Sequence, residues 1–128
     1  MNYQHKKHFK VAEAIQSLYQ NYALIEKMQK LSQYVMAAGN ELNEKLPNLA
    51  GSDKEDLWQE FRSLMDVIAK IEAEGILIAD FKQGIVDFPH IRSNGEEVYL
   101  CFKLGEEFLS YWHTLNGGFA NRQSLDQL

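Results

Sequence analysis

Ile85-Val86-Asp87-Phe88-Pro89-His90-Ile91-Arg92-Ser93-Asn94-Gly95-Glu96-Glu97-Val98-Tyr99-Leu100-Cys101-Phe102 holds two β-prone runs separated by an Asn-Gly pair. Branched and aromatic residues fill both runs, and Asn-Gly supplies the positive φ angles that a tight hairpin turn requires. With Asn94 and Gly95 as the two central turn residues, Arg92 is expected to face Glu97, Ile91 to face Val98, Phe88 to face Cys101 and Asp87 to face Phe102. Neighbouring strand residues point to opposite sheet faces. Asp87 then shares a face with Pro89, Ile91, Val98, Leu100 and Phe102, while Cys101 lies on the other with Phe88, His90 and Tyr99.

More strand signals surround this hairpin. Ile76-Leu77-Ile78-Ala79-Asp80-Phe81 is short and β-prone, and Gly84 separates it from the first run. Gly105 begins another turn, after which Phe108–His113 fits both a fourth strand and a short helix; the strand is preferred. Asn116-Gly117-Gly118 opens a terminal loop, and residues 123–128 read as a frayed tail.

Upstream the period changes to that of a helix. Val11, Ile15, Leu18, Tyr22 and Ile25 recur at steps of three and four, and Leu24, Met28, Leu31, Val35, Ala38 and Leu42 form a second seam of coiled-coil spacing. One helix is expected from about Val11 to Lys45, turning its apolar face along its length and bending at Gly39. Pro47 and Asn48-Leu49-Ala50-Gly51 supply the turn. Ser52, with Glu55 three residues on, has the capping-box spacing that starts a second helix. Leu57, Phe61, Leu64, Ile68 and Ile71 are expected to face the first helix, and Gly75 to end the second. The fold class is therefore α+β. A long antiparallel two-helix hairpin, about residues 11–74, precedes a small antiparallel β-meander of three to four strands, about residues 76–122, all in a single domain over 1–128.

Composition narrows the function classes. Net charge is −5, and the nearest approach to a basic cluster is His5-Lys6-Lys7-His8 with Lys10, expected to be a solvated tail. Nucleic acid is not an expected partner, because neutralising phosphates takes clustered Lys and Arg. The first ten residues, MNYQHKKHFK, have no apolar stretch behind them, so no signal peptide or membrane anchor is expected and a cytoplasmic location is the default. The single cysteine, Cys101, rules out an internal disulfide.

Four segments resemble the bacterial domain-of-unknown-function family 2203. They are Gly84-Ile85-Val86-Asp87-Phe88-Pro89, Tyr99-Leu100-Cys101-Phe102-Lys103-Leu104-Gly105-Glu106, Tyr111-Trp112-His113 and Gly118-Phe119-Ala120-Asn121-Arg122. The corresponding pattern reads approximately G-L-V-D-F-P, L-C-W-x-L-G-E, W-H and G-F-x-x-R. Phe102 stands where tryptophan is usual, and Glu107 where proline often follows the G-E pair. Phe9-Lys10-Val11-Ala12-Glu13-Ala14 is also similar to the opening of the family's long helix. The resemblance implies a related fold and a bacterial origin, and it implies no activity.

Asp87, Cys101, Glu106 and His113 are metal-ligand residue types. The register deduced above separates Asp87 from Cys101, so no metal and no cofactor are expected. Asp87 on an apolar face needs a partner. Arg122, reaching back from the Gly117-Gly118 loop, is expected to pair with it, or with Glu106 as second choice. His113 is expected to be a hydrogen-bonded structural group and Cys101 an inert core thiol. No P-loop, GxGxxG, HExxH or GxSxG pattern occurs, and no catalytic residue is assigned. The function expected first is protein–protein interaction, with a homodimer formed through the helical hairpin, because the seam at Leu24, Met28, Leu31 and Val35 exceeds what a small meander covers. The alternative is a small-molecule or metal-binding protein, an enzyme among its forms, with a ligand site near Asp87, Glu106, His113 and Arg122. A structural accessory subunit is the third.

Overall fold

The computed structural model describes residues 2–45 and 51–128; side chains are described outside 41–54. Helix α1 spans Val11–Lys45 and helix α2 spans Gly51–Ala73, and the two pack as a hairpin. The loop expected at Pro47 lies outside the described residues. Helix α2 is described from Gly51 on, and the capping contact expected of Ser52 falls on side chains outside the described residues. At its other end, Gly75 adopts φ 83 and donates its N–H to the Glu72 carbonyl at 2.9 Å, the left-handed stop expected of it. No helix among the described residues is long and apolar enough to cross a membrane.

The sheet has five antiparallel strands in sequential order: β1 Leu77–Asp80, β2 Ile85–Ile91, β3 Glu97–Lys103, β4 Tyr111–Thr114 and β5 Gln123–Ser124. This exceeds the three to four expected. The extra strand comes from the segment expected to fray, where Gln123 pairs with Trp112 and Ser124 with Tyr111. The region open to two interpretations resolves as a strand beginning at Tyr111, and Phe108 lies ahead of it.

Helix α1 buries one continuous stripe. Ala14, Leu18, Asn21, Ile25, Met28 and Ser32 alternate steps of four and three and are all buried, and Val35 packs against the same core. The two expected seams are thus one. Ile15 and Tyr22 belong to the outer face, while the small or polar Ala14, Asn21 and Ser32 carry the stripe that an apolar search skips. Met28 is buried and Leu24, Leu31 and Val35 are partly buried against the core, so most of the seam expected to need a partner is covered within the chain. In α2, Leu64, Val67 and Ile71 are buried, whereas Phe61 stays exposed.

Val86, Phe88, Val98, Leu100, Phe102 and Trp112 face the helices and complete the core. The N-terminal segment is no solvated tail. Phe9 donates its N–H to the Pro89 carbonyl at 2.7 Å and sets its ring edge-on against Phe88 on the helix side. Ahead of it, the Gln4 and His5 N–H groups and the His8 ring bind the Glu97 carboxylate, and the His5 ring meets the Tyr99 hydroxyl at 2.6 Å.

Candidate functional site

The site follows from the β2–β3 turn. Gly95 N–H donates to Arg92 C=O at 2.8 Å, and Arg92 N–H donates to Glu96 C=O at 2.8 Å. Gly95 alone has positive φ, at 89; Asn94 does not. This is the three-residue hairpin loop in which a turn is followed by a left-handed glycine, not the two-residue loop expected. The register moves by one residue: Ile91 faces Glu97, Phe88 faces Leu100 and Asp87 faces Cys101. A one-residue change transfers a whole strand's side chains to the opposite face. The placement of Asp87 and Cys101 on opposite faces is therefore corrected, and with it the ground for excluding a shared metal.

The face turned away from the helices carries Asp87 from β2, Tyr99 and Cys101 from β3, and Tyr111 and His113 from β4. Asp87, Cys101 and His113 are only 7%, 0% and 3% exposed. His113 Nε2 lies 3.0 Å from Asp87 Oδ1, and Nδ1 lies 2.7 Å from the Thr114 carbonyl. A carbonyl only accepts, so Nδ1 carries a hydrogen and Nε2 is the atom turned toward the cluster. Burial opposes charge on this ring, but the Asp87 carboxylate and the Thr114 carbonyl outweigh it and raise the His113 pKa. Burial, reinforced by the Asp87 charge, pushes the Cys101 thiol far up, against a smaller opposing effect of Arg122.

Arg122 closes the side of this cluster. It follows the 3-10 turn Phe119–Asn121 and directly precedes β5, which fixes its direction. Its guanidinium holds Glu106 through two bonds of 3.0 and 2.9 Å and lies 4.2 Å from the Tyr111 ring centre and 4.0 Å from that of Phe119. Glu106 also accepts the Lys103 N–H at 2.7 Å. The four site residues expected from sequence thus form two pairs, Asp87–His113 and Glu106–Arg122. The first-choice partner of Arg122, Asp87, is replaced by the second choice, Glu106. Asp87 takes His113 instead because β4 places that ring beside it. Cys101, set aside as a core thiol, joins the cluster; the signal that could have found it is the three-residue alternative for the Ser93-Asn94-Gly95 loop. His90 stands apart, its Nδ1 bonded to the Phe9 carbonyl at 2.7 Å.

A second feature adjoins the first at Glu106. Ile15, Leu18, Tyr19 and Tyr22 of α1, with Phe102, Phe108 and Leu109, line an apolar groove of about 580 Å³ that has Glu106 and Glu107 on its wall. Tyr19 is 86% and Phe108 68% exposed.

A family model described as an uncharacterized conserved protein (DUF2203) matches residues 7–125. No curated protein and no solved structure matches the chain.

Proposed function

We propose that this chain, which belongs to the DUF2203 family, is an interaction module that self-associates through the outer face of α1 and Phe108. The observation that carries this function is the exposed aromatic groove. Ile15, Tyr19 and Tyr22 recur at helical spacing on one face and stand beside Phe108. Concentrated exposed apolar surface marks contact sites. A helical strip of this kind can meet its own copy across a two-fold axis, each residue serving both sides. The dimer surface is thus this strip and not the Leu24–Val35 seam, most of which packs inside the chain. Sedimentation across micromolar concentrations is expected to show a reversible dimer, with Tyr19→Glu and Phe108→Ser monomeric. A wild-type chain that stays monomeric throughout removes this function.

A small-molecule-binding protein is the second candidate. It is favoured by the groove's size, which lies in the range of ligand pockets, and by the exposed Glu107 on its wall, Glu106 being paired with Arg122. The matching ligand has a flat apolar body and a cationic end. Ligand-observed NMR with aromatic amines, compared with their neutral and carboxylate analogues, tests it. Absence of any preference for the amines removes it.

A further inference from the structure

We infer that Asp87, Cys101 and His113 form a three-ligand site for a divalent transition-metal ion of the zinc type. This goes beyond either use of the groove and depends on neither. The donor set is one carboxylate oxygen, one sulfur and one imidazole nitrogen, a combination that suits zinc and disfavours magnesium or calcium. The three residues lie on β2, β3 and β4, the three middle strands of the sheet. Asp87 and Cys101 share a rung, and His113 faces Tyr99, the next residue along β3 on the same face.

The donor atoms lie within 4.8 Å of one another, the only such group of three among the described residues. Tetrahedral zinc, with bonds of about 2.0–2.3 Å, holds its donors roughly 3–4 Å apart. The Asp87–His113 separation of 3.0 Å already meets that distance. Bringing in the sulfur takes about an ångström of side-chain rotation, which the staggered wells of χ1 allow.

The surroundings agree with this assignment. The Nδ1–H bond to Thr114 presents Nε2 to the ion, the arrangement by which a metal-bound histidine is usually oriented. Ionised Asp87 and a Cys101 thiolate together supply two negative charges, matching a divalent ion in a site where net charge is costly. The nearest cation, Arg122, is paired with Glu106 and also bears on the Cys101 sulfur, where it favours the thiolate that a metal needs. Three protein ligands leave the fourth tetrahedral position to water or a small anion.

Cobalt(II) titration of the chelator-treated full chain tests the site. The expected result is one ion per chain, a thiolate-to-cobalt charge-transfer absorption, the visible bands of tetrahedral cobalt, and loss of both when zinc is added. Cys101→Ala is expected to remove the charge-transfer absorption and His113→Gln to weaken binding at least tenfold, each variant confirmed as folded by circular dichroism. Cys101→Ala leaves no unpaired charge, so it keeps the test decisive if His113→Gln does not fold. A double variant, His5→Gln with His8→Gln, is expected to bind as the wild type does. The assignment is overturned by a folded wild type that gives no charge-transfer band with excess cobalt, by undiminished affinity in Cys101→Ala, or by loss of binding in the His5/His8 variant.

Discussion

Asp87 stands directly opposite Cys101 on the β2–β3 ladder, and the His113 ring on β4 reaches the same carboxylate at 3.0 Å. This relationship depends on one glycine. Gly95 takes the left-handed position after the turn, so the hairpin closes with three loop residues. With two, the carboxylate would have faced the helices and the thiol the other side.

Removing one partner of the Glu106–Arg122 pair leaves the other charge partly shielded from water. Arg122→Gln and Glu106→Gln are each expected to cost about 1–3 kcal/mol, below the full range for a buried pair because some solvent reaches both side chains. Urea unfolding of the two single variants and the double variant measures the coupling. The double variant should lose clearly less than the sum; strict additivity would show that the two bonds contribute no net coupling.

Leu64 is buried against α1, while Phe61 is exposed three residues earlier. Leu64→Ala is expected to cost about 2–5 kcal/mol by leaving a cavity. Phe61→Ala should cost less than Leu64→Ala in the same urea experiment. The reverse order would place the wrong face of α2 against its neighbour.

Glu97 ties the N-terminal segment to β3 and carries a pH dependence. Burial tends to raise its pKa, but the His8 hydrogen bond, the Gln4 and His5 N–H groups and the nearby His5 ring together lower it. A carboxylate whose folded value lies below its unfolded one adds stability above the unfolded pKa and loses it as pH falls through the folded value. The stability difference between wild type and Glu97→Gln should therefore shrink as pH falls below about 5, where the unfolded carboxylate begins to bind protons. Urea midpoints measured from about pH 5 to about pH 3 check this, and a gap that widens across that range would contradict it.

Cys101 has no exposed surface, and its thiol is held protonated by burial and by Asp87. Alkylation requires an accessible thiolate. In metal-free native protein, maleimide labelling followed by mass spectrometry should be slow and should track the opening of the fold as urea is added. Rapid labelling without denaturant would show that this face opens freely.

The resemblance to family 2203 came from residues between Gly84 and Arg122, and the match over residues 7–125 agrees with it. The family's segments were therefore legible before their geometry. That Asp87, Glu106, His113 and Arg122 lie near one another was also legible, since all four fall in the segments that resemble the family. Their pairing was not. Which carboxylate meets which cation depends on the β4 register and on the short β5, and two residues of pairing leave almost no periodic signal.

Local chemistry in the sequence determined the two helices, the stop at Gly75, the hairpin and the α+β class, because these rest on periods of 3.6 and 2 and on turn residues acting over a few positions. Tertiary structure decided the rest. Asn21 and Ser32 are buried because α1 meets its neighbours there, not because they are apolar. The N-terminal segment is held by Glu97 and Pro89, residues remote in sequence. Asp87 and Cys101 share a face because the turn offered two loop lengths, and the choice that buries Val86, Phe88, Val98, Leu100 and Phe102 against the helices also places the carboxylate beside the thiol.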